Sequence, residues 1–262
     1  MNVIPEKCHF HFIALLPEPL GVAQFLTCLK AVRAGISIEG EGWKVAAAPR
    51  KFAFGTLVDG PWSWRVVADM GELPELAWKP GFGDSRPPAH RSHAFVFLLS
   101  APQGASGLDR VRASLDLAAA WTKAGASQVA FPSAGTILDV QELGAVEPAR
   151  LEADTASNLL VSLALMGRGA DGRTWVRTRG MVQFGLIDLC CALPAMPQPP
   201  AEAIDAARVL FGSVAPYLIS IDRSLEPKET VRVGGRTWRV ADESALAGAP
   251  PYYGILRALE RV

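Results

Sequence analysis

Residues 94–100 read Ala-Phe-Val-Phe-Leu-Leu-Ser, an uninterrupted apolar run of strand length. A half-exposed strand alternates apolar and polar side chains, whereas a run without alternation needs cover on both faces. This segment therefore predicts an interior strand of a layered fold. Strand-then-helix patterning recurs near residues 10, 95 and 186, in pattern rather than in letters. Cys8–Leu16 reads as a strand stopped by Pro17 and Pro19. From Gly21 the period changes, with Val22, Phe25, Leu26, Leu29 and Val32 at helical spacing before Gly35. Trp43–Ala48, Phe52–Val58 and Trp62–Ala68 are short strands, the last two joined by an Asp59-Gly60-Pro61 turn.

Further on, Ser106 and Asp109 resemble a capping box opening a helix that Gly125 ends. Gln128–Phe131 is a short strand, and Pro132-Ser133-Ala134-Gly135 a loop. Glu147-Pro148 opens another helix. Leu159–Met166 and Trp175–Arg179 read as a strand and its return, followed by a strand over Leu186–Leu193. Pro199-Pro200 opens a helix carrying Ile204, Ala207, Phe211 and Val214, and Gly234-Gly235 marks a two-residue hairpin. Tyr252–Leu259 predicts a last short helix. Residues 71–93 hold four prolines and three glycines, the composition of a linker or long loop. The chain thus divides into an N-terminal α+β subdomain (1–70), a Pro/Gly-rich segment (71–93) and an α+β domain (94–262). The fold class is α+β, with mostly antiparallel sheets and helices packed on one face. Two ferredoxin-like βαβ-type halves fit this pattern, and a single larger mixed sheet is the alternative.

The balance of 26 basic against 26 acidic residues excludes the basic footprint of a nucleic-acid binder. It equally disfavours a polybasic membrane-surface protein. No apolar run reaches the roughly 18 residues that a membrane span requires, and the first residues lack a signal-peptide pattern. A cytoplasmic protein is expected. Cys8, Cys28, Cys190 and Cys191 have no framework spacing and read as reduced thiols, the last two on opposite faces of a strand.

Candidate chemistry is sparse. The four histidines form two pairs, His9 with His11 and His90 with His93, which could converge on zinc or copper if their strands were neighbours. Structural strand-edge and loop histidines are the plainer reading, since no HExxH or CxxC motif accompanies them. No Rossmann fingerprint, P-loop or nucleophile elbow is present, so no cofactor is expected. Ser133 could act as a nucleophile only with a base from elsewhere. Arg177 and Arg179 share one face of a strand, where arginine forks suit an anion or partner, and Asp188 could pair with them instead. Gly180 and Gly185 permit a bend around residues 181–184. Trp62 and Trp64, two of seven tryptophans, face the same way on a strand and serve either a core or a partner.

The run Thr178–Leu189, TRGMVQFGLIDL, resembles the signature of an uncharacterised bacterial domain-of-unknown-function family, in which Thr-Arg-Gly-Met/Leu precedes Phe-Gly and a Pro-Glu-Leu-like element. Ala94–Ser100 and GASQVAFPSAG (Gly125–Gly135) fit the same pattern, over roughly residues 94–240. Ile187-Asp188 departs from it, standing where Pro-Glu is commoner. The resemblance implies a fold unit and a bacterial origin, not a reaction, and such domains are often immunity, adaptor or assembly components. The leading expectation is a non-enzymatic protein-binding module whose partner is another protein or a second copy, with neither nucleic acid nor membrane. The alternatives are an enzyme or small-anion binder using Arg177, Arg179 and Asp188, and a histidine metal site.

Overall fold

The computed structural model describes residues 11–17, 22–47, 51–69, 92–193, 201–250 and 255–262. The fold is α+β with mostly antiparallel sheets. It divides into two compact units, Lys7–Leu151 and a second that runs from Glu152 to Val262.

The first unit holds β1 (His11–Leu16), α1 (Val22–Val32), β2 (Ile36–Ala47), β3 (Lys51–Asp59), β4 (Trp62–Asp69) and β5 (Ser92–Ser100). These are followed by α2 (Gly107–Lys123), β6 (Gln128–Phe131), β7 (Thr136–Asp139) and α3 (Val140–Gly144). One seven-stranded sheet runs β2-β3-β4-β5-β1-β6-β7. The apolar run of β5 takes the middle place, between β4 and β1, with Ala94, Val96 and Leu98 buried. This is where the division expected at 71–93 differs from the structure. β5 pairs with β4 from Ser63↔Ser100 to Asp69↔His93 and with β1 from His11↔Phe97 to Leu16↔Ser92. Strands on either side of the Pro/Gly-rich segment thus share one ladder, and the boundary lies at Leu151 instead.

The cap expected for α2 is present. Ser106 Oγ accepts the Asp109 N–H at 3.2 Å, and the Asp109 carboxylate accepts the Ser106 N–H at 3.1 Å. The Ser106 hydroxyl, which also donates to that carboxylate, holds Asp109 below the usual carboxylate range. Val111, Leu115, Ala118 and Trp121 form the buried stripe of α2, which packs on β1 and β6. The reading missed β7 and α3. A second capping box opens α3, in which Asp139 accepts the N–H groups of Gln141 and Glu142, and Glu142 accepts that of Asp139.

The second unit holds α4 (Ala153–Leu160), β8 (Ser162–Arg168), β9 (Thr174–Arg179), β10 (Asp188–Ala192), α5 (Ala201–Ile221), β11 (Thr230–Val233), β12 (Arg236–Val240) and β13 (Leu256–Arg261). The helix expected from Glu147-Pro148 is instead a 3-10 turn, Pro148–Arg150, with α4 beginning only at Ala153. The six-stranded sheet runs β11-β12-β13-β10-β9-β8. Gly234 and Gly235, at φ 56° and 73°, make the β11–β12 hairpin. The helix expected over Tyr252–Leu259 is corrected by β13. Leu256, Ala258 and Leu259 fit either period, but the slot between β10 and β12 offers ladder hydrogen bonds on both sides, and the chain takes it. β10 and β13 are the one parallel pair among the described strands.

Each unit is built on a strand–helix–strand element, β1–α1–β2 in one and β10–α5–β11 in the other. In each, a later strand returns beside the first, β5 antiparallel to β1 and β13 parallel to β10.

Candidate functional site

The segment Thr178–Leu189 is a polar lock between β9 and β10. Gly180, at φ 107°, turns the chain out of β9 into a 3-10 turn over Met181–Phe184, and Gly185, at φ 71°, closes it. Both glycines hold backbone that side chains resist. The turn seats Met181 and Phe184 in the interior and returns the chain to Asp188. One Asp188 oxygen accepts the Thr178 hydroxyl and the Met181 N–H, each at 3.1 Å. The other accepts from Arg177 at 3.0 Å. Thr178 Oγ1 in turn accepts the Leu189 N–H at 2.8 Å. Burial pushes the Asp188 carboxyl up, against the pull of Arg177 and the other donors.

Arg177 and Arg179 share a strand face, as their spacing requires. Arg179 is half-buried, and burial together with the Arg177 charge pulls its guanidinium below its usual value. Of the three residues proposed to take an anion, Arg177 and Asp188 take each other. All three are absent from the linings of both cavities discussed below. The chemistry of this cluster is positional: it pins a bend between two strands.

Trp62 and Trp64 do face the same way, their rings stacked with centroids 6.2 Å apart. They divide the two readings offered for them. Trp64 is core, 1 % exposed, while Trp62 is half-buried and lines an open cavity of about 610 Å³. The turn before α2 and the residues Asp109, Arg112 and Asp116 form its other walls. Its charges are already engaged. Asp116 pairs with Arg33 at 2.6 Å, and Arg112 pairs with Asp109 and donates to the Leu151 carbonyl.

His9 and His90 lie outside the described residues. His11 and His93 stand on neighbouring strands, but His11 is opposite Phe97 and His93 opposite Leu15. Four residues of register separate them, about 13 Å along the ladder. Among the described residues no three His, Cys, Asp or Glu side chains gather as metal ligands do. Ser133 sits in the tight turn joining β6 to β7.

Cys190 and Cys191 are buried on opposite faces of β10, and Cys28 is half-buried. Burial pushes both β10 thiols up to about 12 from an ordinary 9.0. A thiol is nucleophilic only as thiolate. A thiol reagent is therefore expected to leave Cys190 and Cys191 unmodified in the folded protein at neutral pH and to label them on unfolding, as peptide mapping will show. The linkage has a definite sign. Stability from thiols kept neutral is fully present below pH 9 and is lost as pH rises toward about 12.

The sequence reading also missed a surface. Its apolar positions on α5 describe the packed side, where Ala207, Phe211 and Val214 are indeed buried with Leu210, Leu218 and Ile219. The opposite side is apolar too. Val209, Tyr217 and Ile221 are 57 %, 53 % and 42 % exposed. Gly212 and Ser213 lie between them and are also exposed, and the face carries no charge from Val209 to Ile221. Its serines are satisfied within the helix, Ser213 donating to the Val209 carbonyl and Ser220 to that of Tyr217. Ala203–Ile221 is long and apolar enough, by length and composition alone, to cross a membrane, with a mean hydropathy of 1.4. Asp205 and Arg208 interrupt this run in the sequence.

No family model, curated protein or solved structure matches this chain.

Proposed function

We propose that this chain is a non-enzymatic protein-binding module that docks through the solvent face of α5, and that its partner is a second copy of itself. The uncharged, exposed stripe from Val209 to Ile221 carries the reading. Large apolar side chains exposed together on one face are uncommon on a surface that meets only water. The stripe is also self-complementary. An antiparallel two-fold pairing centred near Ala215 sets Val209 against Ile221 and the small Ser213 against Tyr217 of the other copy. A chain with no net charge offers little long-range repulsion to such a pairing. An assembly or adaptor role in a bacterial cell is the setting that this reading fits.

Sedimentation equilibrium tests it. The wild type is expected to dimerise in the micromolar range. Ser213→Arg, which places a charge at the centre of the pairing on an exposed position, is expected to give a monomer with its thermal stability within about 0.5 kcal/mol of wild type. A wild type that stays monomeric at all concentrations overturns the proposal. So does a Ser213→Arg dimer as tight as the wild type, or a monomer that instead co-sediments with phospholipid vesicles.

A further inference from the structure

We infer that the second unit carries a binding site for a small organic anion with a flat apolar body, at the carboxyl ends of the parallel strands β10 and β13. The topology creates the space. β10 and β13 end side by side, β9 and β12 begin there because they run antiparallel to them, and the first turns of α5 pass over the same end. In sheets with parallel strands, this is the end where crossover connections leave room for ligands. Here the room is a cavity of about 660 Å³. That lies within the range of small-molecule sites, roughly 300–1,000 Å³.

Side-chain size keeps the cavity open. Five alanines from α5, β10 and β13 line it, where larger residues would close it. Trp238 and Trp175 line it from opposite faces of the strand ends. Trp175 is held in place, its indole N–H toward Asp171 at 3.4 Å and the Arg173 guanidinium 5.3 Å above its ring. Arg173 is itself paired with Asp171 at 2.7 Å, so its charge is already answered.

Arg236 and Arg261 differ from Arg173. Trp238 stands directly opposite Arg261 on the β12–β13 ladder, and Arg236 lies two residues before Trp238 on the same face. Arg236 and Arg261 are thus neighbours of Trp238 on one face of the sheet, neither with an ion-pair partner among the described residues. Glu260 is the one carboxylate of the lining, and strand alternation sends its side chain, with those of Ala258, Ala192 and Trp175, to the other face from Arg261 and Trp238. An apolar cavity walled by Trp238, with two arginines at its mouth that have no ion-pair partner among the described residues, is complementary to an aryl or alkyl carboxylate. The body would lie against Trp238 and the α5 alanines, and the carboxylate would be gripped by the arginine forks.

The site is independent of the α5 docking face, so either proposal can fail alone. Titration of the full chain with 2-naphthoate, followed by calorimetry and by tryptophan fluorescence, tests it, with the neutral 2-naphthamide as control. The acid is expected to bind with one site per chain and the amide about tenfold more weakly, the difference expected for charge-assisted hydrogen bonds. Arg236→Gln with Arg261→Gln, both on exposed positions, is expected to weaken the acid about tenfold and leave the amide unchanged. Ala206→Phe, which fills the cavity without touching a charge, is expected to abolish both. Absence of naphthoate binding overturns the inference. Equal affinity for acid and amide also overturns it, as does an affinity that the double arginine substitution does not change.

Discussion

Asp188→Ala is expected to destabilise the fold by about 3–5 kcal/mol, the cost of breaking a buried ion pair from one side. The loss comes from what the carboxylate leaves behind. Arg177, with a side chain 18 % exposed, loses its counter-charge, and the Met181 N–H and the Thr178 hydroxyl lose their acceptor. The Met181 N–H lies in the bend between Gly180 and Gly185 and Thr178 stands on the strand just before it, so this segment should loosen first. The figure measures the stranding of partners rather than the worth of the pair, because burial already works against the ionised carboxylate. Arg177→Met combined with Asp188→Leu should therefore cost less than Asp188→Ala alone. Urea denaturation of the three variants, read by far-ultraviolet circular dichroism, checks the order. A double variant less stable than the single one would show that the pair is itself strongly favourable.

Trp121→Ala carries the other large effect, also about 3–5 kcal/mol, through a different mechanism. Trp121 is fully buried on the inner stripe of α2, in the unit Lys7–Leu151. Truncation removes the apolar contacts of an indole and leaves a cavity that the surrounding strands cannot close without moving. Trp121→Phe should recover more than half of the loss. The urea midpoint and the near-ultraviolet dichroism of both variants test this, and a cost below about 1 kcal/mol for alanine would mean that the site collapses freely.

Much of the local structure was legible because it is decided by neighbours in sequence. Ser106 and Asp109 satisfy each other's backbone within one turn, whatever lies beyond. Gly234 and Gly235 adopt positive φ without a tertiary reason. The site was less legible. Arg177 and Asp188 could be seen as partners, but not that Thr178 and the Met181 N–H complete the set, because that depends on how the bend between them closes. The two tryptophans on one face looked equivalent, and only packing made one of them core and the other a cavity wall.

An α+β chain with an interior strand at residues 94–100 can be read from the letters alone, as can the placing of Cys190 and Cys191 on opposite faces of another strand. Alternation and sterics act between adjacent residues, so a run of letters is enough to read them. Tertiary structure decided which strands pair. It set β5 beside both β4 and β1, across a segment that reads as a linker. It made a strand of residues that fit a helix equally well, and laid that strand parallel to β10. The cavity at the ends of β10 and β13 and the apolar outer face of α5 follow from those choices. Partners far apart in sequence are selected by the free energy of the whole sheet, and no short stretch of the chain contains that quantity.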